Sequence, residues 1–233
     1  MTQKITGIQR FSHEMCRALA SKGYDITVLA PRNIRDEYKL AYKIHRFGIL
    51  KGALWEHIEL PLFLLRHRRP LLISFGSPGP LFYKNRIVTI HDVSFYYHPH
   101  WFSKLYGLYY RLVTPLIARF SRRILTVSQF SKKEIMRWLN LPDEKIAVVH
   151  NAVSRNIINR KAELNEPEER YILTVCSMDP RKNLGRTIKG YKLSGIEKTV
   201  RMKAAGGGSS LFKMTKTPEI QNIALGYVSD QEL

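Results

Sequence analysis

Five short apolar runs, Ile26–Ala30, Leu71–Phe75, Ile87–His91, Ile124–Val127 and Ile146–Val149, recur along the chain, and their spacing limits what it can fold into. Each is rich in β-branched residues and too short for a helix, which is how strands buried on both faces read. Between them apolar residues fall at helical spacing, roughly over Ala53–Arg68, Ser103–Ser121 and Ser131–Leu139. Ile8, Phe11, Met15 and Leu19 open the series as a helix, and Gly23 stands where its C-terminal cap belongs. Ser131 and Glu134 have the spacing of a capping box for the last helix. Strands alternating with helices predict an α/β fold around a doubly wound, mostly parallel sheet.

The polar stretch 154–170, "SRNIINRKAELNEPEER", has the composition of an interdomain linker. It separates a first domain, 1–153, from a second α/β series, 171–233. That series has a strand at Tyr171–Cys176, a helix at Asn183–Leu193, a strand at Val200–Ala205 and a short strand at Ile223–Leu225. Both ends read as cut. No strand precedes the first helix, and a capping box at Ser229–Glu232 opens a helix one residue before the chain stops. The expected architecture is most of one Rossmann-like domain, lacking its first strand, joined to the first half of another.

Charge is the unusual quantity. The chain carries 38 Lys and Arg against 19 Asp and Glu, a net charge of +19, which calls for an anionic partner. Between Leu60 and Lys133 there are twelve Lys or Arg and one acid, Asp92. The two cysteines, Cys16 and Cys176, have neither metal nor redox spacing, which favours a reducing compartment. No run approaches the roughly 20 apolar residues that cross a bilayer. A cytoplasmic protein is expected, with room for a peripheral membrane contact.

Three stretches could carry chemistry. In "IVTIHDVSFYYHPHWF", His91 and Asp92 close a buried strand, and open α/β sheets bind ligands at such strand ends. In "SMDPRKNL", Arg181 and Lys182 follow a strand and precede a helix start, where cations and amide donors suit a phosphate or diphosphate. In "TGIQRF", Gly7 allows close approach of the backbone to a ligand. "AAGGGSS" lacks the spacing of any nucleotide-binding fingerprint and reads as a flexible turn with some chance of lining a pocket. No HExxH, CxxC or Asp-x-Asp appears, so neither metal nor cofactor is expected, and protein cations would carry the charge of a departing diphosphate.

"TGIQRF", "TIHDVSFYYHPHWFS", "RILTVSQFSKKEI", "KIAVVHNAV", "YILTVCSMDPRKNL" and "ALGYVSDQEL" occur in the order and at the spacing of glycosyltransferase family 4, and the chain resembles that family over nearly its whole length. The resemblance implies a GT-B fold and retaining transfer of a hexose such as mannose from a nucleoside diphosphate sugar. The acceptor would be a glycan or a lipid-linked glycan of cell-surface polysaccharide or lipopolysaccharide. It implies that the first domain meets the acceptor and the second the sugar nucleotide. Gly7 would lie near the donor phosphates, His91 with Asp92 beside the transferred sugar, and Arg181 with Lys182 on the diphosphate.

Two features depart from the family. Family members usually carry a Glu-x7-Glu motif further on than the 233 residues reach, and Cys176-Ser177 stands where many members have Gly-Arg. The resemblance therefore implies negligible turnover by these 233 residues alone. Eight aromatics between Phe95 and Tyr110, interleaved with and followed by Lys104, Arg111, Arg119, Arg122 and Arg123, suit either core and cleft lining or an anionic membrane surface. The rival readings are an inactive phosphate- or membrane-binding remnant and a basic nucleic-acid binder. The second finds no RNP, zinc-finger or helix-turn-helix signature, so no nucleic-acid partner is expected.

Overall fold

The computed structural model describes residues 7–34, 42–76, 78–153, 169–207 and 217–228. The chain packs as two compact units, one from residues within 1–93 and 111–160, the other from residues within 94–110 and 161–233. Of the stretch read as a linker, Glu169 and Arg170 are described, and the capping box at Ser229–Glu232 lies outside the described residues.

The first unit opens with α1 (Gly7–Ser21) and the parallel pair β1 (Thr27–Pro31) and β2 (Lys43–Phe47). A four-stranded parallel sheet follows in the order β3 (Leu72–Ser74), β4 (Arg86–Thr89), β5 (Arg123–Thr126), β6 (Ile146–Val148). Val88, Ile124 and Ile146 from its three last strands are buried, as the apolar runs require. Between β2 and β3 runs a helix of three parts: α2 (Gly52–Leu54), a π turn (Trp55–Glu59) and α3 (Leu60–Arg66). Its inner face, Trp55, Leu60 and Leu64, packs with Tyr83 against Leu29, Phe47, Leu50 and Leu72. Each such side chain contributes about 1.5–3 kcal/mol by leaving water. The step from Trp55 to Leu60 is five residues, and the π turn supplies that spacing.

Two expectations are corrected in detail. β2, "KIHRF", carries no apolar run and passes unnoticed in the sequence, because Lys43, His45 and Arg46 break the pattern and its face is largely exposed. α6 (Gln129–Leu139) is capped by Ser128, whose hydroxyl accepts from the Ser131 amide at 3.0 Å. Ser131 is therefore not the cap, and Glu134 accepts instead from the Trp138 indole at 3.2 Å. Asn140 ends the helix in a left-handed conformation, φ +48°.

Arg86, the first residue of β4, is fully buried. Its Nε donates to Ser121 Oγ at 2.8 Å and its Nη2 to the Ile117 carbonyl at 3.0 Å, in and beside the last turn of α5 (Lys104–Phe120). A cation there offsets the negative end of the helix and adds a donor to a carbonyl that also accepts from the Ser121 amide at 3.0 Å and the Ser121 hydroxyl at 2.6 Å. Burial pulls the guanidinium pKa down to about 10, with Glu56 opposing, so it stays charged at neutral pH. Arg86→Ala removes the cap and leaves a hole, with an expected loss of about 3 kcal/mol. Arg86→Met fills much of the volume without burying a charge, and should lose about 1 kcal/mol. Urea denaturation of the two variants checks the order, and equal losses would show that the lost bonds to Ser121 and Ile117, not the emptied volume, set the cost.

The second unit holds a parallel sheet in the order β7 (Tyr171–Val175), β8 (Arg201–Ala205), β9 (Ala224–Gly226), with α7 (Leu184–Leu193) and α8 (Pro218–Ile223). Met178, Leu184, Ile188, Met202, Ala204 and Ile220 form its core. The aromatic run is spent largely on itself. Phe95, in the short helix α4 (Ser94–Tyr97), and Phe102 are buried, Phe102 stacks on Tyr106 at 5.3 Å, Tyr106 on Tyr110 at 4.3 Å and His98 on Trp101 at 3.9 Å. None of the eight rings is in the exposed class. The exposed large apolar residues of α5 are Leu105, Leu108, Leu112, Leu116 and Phe120, one row of its surface. No described helix is long and apolar enough to cross a membrane.

Candidate active site

His91 lies two residues beyond the carboxyl end of β4, where the extra backbone bond from the Ile90 amide to the Leu125 carbonyl (2.9 Å) still holds the chain to the sheet. The ring is half-buried, and its Nε2 lies 3.0 Å from the Phe75 carbonyl at the end of β3. An acceptor there calls for a proton on Nε2, which donates to the carbonyl. Phe11 of α1 meets the ring edge-on, centroids 5.1 Å apart, and also touches Phe75 at 6.1 Å. The imidazole is thus held by a hydrogen bond on one side and an aromatic contact on another. Asp92, next in line, is exposed.

Gly7 is the first residue of α1, one helical turn before Phe11, and a side chain there would meet nothing within 4 Å. Close approach is instead required at Gly76, where an added Cβ would fall 2.9 Å from Ser12 Oγ and 3.1 Å from Ile8 Cγ2. Sequence reasoning missed this glycine. It lets the start of α1 lie against the carboxyl end of β3, and so brings the helix that begins at Gly7 to the strand ends that hold His91.

Arg181 and Lys182 sit in a 3-10 turn, Pro180–Lys182, beyond the carboxyl end of β7 and just before α7. They differ in what surrounds them. Arg181 Nε lies 3.3 Å from Oδ1 of Asp179, a carboxylate that is 4% exposed and also accepts from the Ser177 hydroxyl. Part of the Arg181 charge is therefore already offset. Lys182 is exposed and has no ion pair among the described residues. Burial pushes the Cys176 thiol pKa up, with Lys182 pulling the other way, so this cysteine remains a thiol at neutral pH. Asp179 stood in the quoted stretch, but nothing in its spacing announced that it would be buried against the arginine. A hollow of about 220 Å³ lies alongside, lined by Met178, Asp179, Pro180, Asn183, Leu184, Gly185 and Ile220.

The glycine-rich stretch is tighter at its start than a flexible turn. Gly206 has φ +145°, and an added Cβ would fall 1.9 Å from the Cys176 carbonyl oxygen. Its amide donates to the Gly226 carbonyl at 2.6 Å, and the Cys176 amide to the Ala205 carbonyl at 2.9 Å. The ends of β7, β8 and β9 are drawn together there; residues 208–210 lie outside the described residues. Among the described residues no three His, Cys, Asp or Glu side chains gather into a metal-ligating group.

The profile of Glycosyltransferase Family 4 matches residues 5–156, more than half of the chain. The chain belongs to glycosyltransferase family 4. Within that family it is similar to the O-antigen chain mannosyltransferase RfbU of Salmonella typhimurium, 31% identical over 132 residues, 53% of this chain and 35% of that protein. It is similar also to O-antigen chain mannosyltransferase B of Escherichia coli, 28% identical over 176 residues, 66% of this chain and 46% of that protein. The chain thus spans less than half the length of either relative. A crystal structure of a glycosyltransferase from Rickettsia africae ESF-5 superposes with a TM-score of 0.55 over 96% of this chain and 65% of that one, at 13% identity. That likeness confirms the α/β, GT-B-like fold expected for a family 4 chain.

Proposed function

We propose that this chain is part of a retaining glycosyltransferase that moves a hexose, mannose by the kinship of its relatives, from a nucleoside diphosphate sugar to a glycan or lipid-linked acceptor of O-antigen or a related cell-surface polysaccharide. The family match over residues 5–156 carries this reading. It is supported by a histidine fixed at a strand end and by a cationic turn at another. In the reaction the bond between sugar and diphosphate breaks, and negative charge grows on the leaving oxygen. Lys182, with Arg181 held by Asp179, would lower that barrier by standing ready as fixed positive charge. The sugar carbon becomes oxocarbenium-like, and His91 would contact the migrating hexose through its imidazole or its backbone, with Asp92 beside it. Gly7 would leave the first turn of α1 open to the donor phosphates. With protein cations in this role the reaction needs no metal ion, and the enzyme would work in the cytoplasm, facing the inner side of the cell membrane.

Calorimetric titration of the chain with nucleoside diphosphate mannose is the first test, because binding needs no acceptor. Saturable binding that survives EDTA is expected. Lys182→Ala should weaken it about tenfold without changing the melting temperature. Arg181→Ala should lower the melting temperature as well, since it strands the buried Asp179 charge. Mass-spectrometric sugar transfer to a lipid-linked acceptor, with the intact protein, then separates an enzyme from a silent phosphate-binding module. Binding that requires a divalent ion, or transfer only from other donors, would overturn the reading.

A further inference from the structure

The α2–α3 helix is apolar on both sides. Opposite the buried row formed by Trp55, Leu60 and Leu64, a second row faces out: Leu54 is 58% exposed, Ile58 47%, Leu62 46% and Leu65 48%, and Ile49 in the preceding loop is 82% exposed. This row does not belong to the core described above, and single exposed leucines need no explanation, whereas a row of them does.

Among the described residues the charges around it are one-sided. The two acids of the segment 49–69 both turn to backbone amides. Glu59 accepts from the Ile49 and Leu50 amides at 2.9 and 3.1 Å, and Glu56 from the Gly79 amide at 2.8 Å. Gly48, at φ +83°, makes the first of these possible, because a Cβ there would fall 2.1 Å from Glu59 Oε2. Left at the surface are Arg32 and Lys51 near one end of the row and Arg66, Arg68 and Arg69 at the other. Burial pulls the His57 pKa down, so that ring adds no charge at neutral pH.

A hollow of about 320 Å³, lined by Arg32, Asn33 and Gly48–Lys51, opens at the Ile49 end of the row, beyond the carboxyl ends of β1 and β2. It pairs two cations with concave space of a size for a phosphate-bearing headgroup. That pairing of apolar row, cations and hollow favours this helix over the leucine row of α5.

We propose that the α2–α3 helix is a docking surface for an anionic lipid bilayer. Leu54, Ile58, Leu62 and Leu65 enter the acyl boundary, and Arg32 and Lys51 hold headgroup phosphate in the hollow. Helices with an apolar stripe and basic flanks lie in the membrane interface in this way. The helix would bring an enzyme of lipid-linked acceptors to its substrate, a use that rests on the transferase reading. Vesicle binding and sugar transfer are separate readouts, so either can fail alone.

The test is sedimentation of the purified chain with vesicles of phosphatidylcholine alone or with about 30% phosphatidylglycerol, at low and high salt. Binding to the anionic vesicles, weakened by salt, is expected. Ile58→Ser with Leu62→Ser should lower it about 30-fold on the hydrophobic term. Arg32→Ala with Lys51→Ala should lower it about tenfold on anionic vesicles and leave neutral ones unaffected. Melting curves exclude misfolding as the cause. Three results would overturn the proposal: no vesicle binding by the parent chain, unchanged binding by both variants, or loss confined to Leu112→Ser with Leu116→Ser on α5. A fourth is a lipid-free dimer that the serine variant dissolves, which would give the row to a second copy of the chain.

Discussion

Replacing His91 by alanine is expected to slow sugar transfer by about a thousandfold while lowering the melting temperature by only about 3 °C. The two numbers are separable because of how the ring is held. One hydrogen bond to the Phe75 carbonyl and one edge contact with Phe11 fix the ring but bury little of the core, so their loss costs stability modestly. If the ring faces the migrating hexose, its removal acts where charge develops, and there a single fixed group is worth several kcal/mol of barrier. The same variant should bind a nucleoside diphosphate sugar less tightly than the parent chain and bind the bare nucleoside diphosphate equally well. A His91→Ala protein with undiminished kcat, or one whose rate falls only in step with its melting temperature, would remove this residue from the reaction.

Gly206→Ala is expected to unfold the second unit, with a loss above about 4 kcal/mol. An added methyl would lie 1.9 Å from one backbone atom and 2.7 Å from the next, the carbonyl oxygen and carbon of Cys176, at a φ of +145° that L-residues rarely adopt. Neither neighbour is the end of a flexible side chain, so the strands themselves must part. Hydrogen exchange followed by mass spectrometry reads the outcome locally. Protection should vanish from β7, β8 and β9 and persist in β3 to β6. An alanine variant with protected β7 to β9 amides would show that the crossing loop can yield.

The four-stranded parallel sheet was legible because Val88, Ile124 and Ile146, buried in its middle and last strands, stand in short β-branched runs. β2 was not, since "KIHRF" lies largely exposed and its cations hide the period. The cap of α6 was misassigned because Ser128 and Ser131 stand three residues apart and either could close the first turn; the backbone chose the earlier one. Charge counting erred in kind at Arg86. It enters the local excess as a surface cation, yet it is buried under the end of α5, where no anionic partner can reach it. At the candidate site the sequence pointed to His91 and to the Arg181–Lys182 pair. It said nothing of Gly76, whose need is a close approach between elements, nor that Asp179 divides that pair into one tethered and one open charge.

The five-residue turn at Trp55–Glu59 has a consequence for how this segment can change. An ordinary helix with the same letters would swing everything after the turn by about 100°, carrying Leu60 and Leu64 out of their seats and Leu62 and Leu65 out of theirs. Length, more than composition, is what the stretch must conserve. Residues along either row can be exchanged one greasy side chain for another, whereas a single deletion would throw the inner and outer rows out of step together.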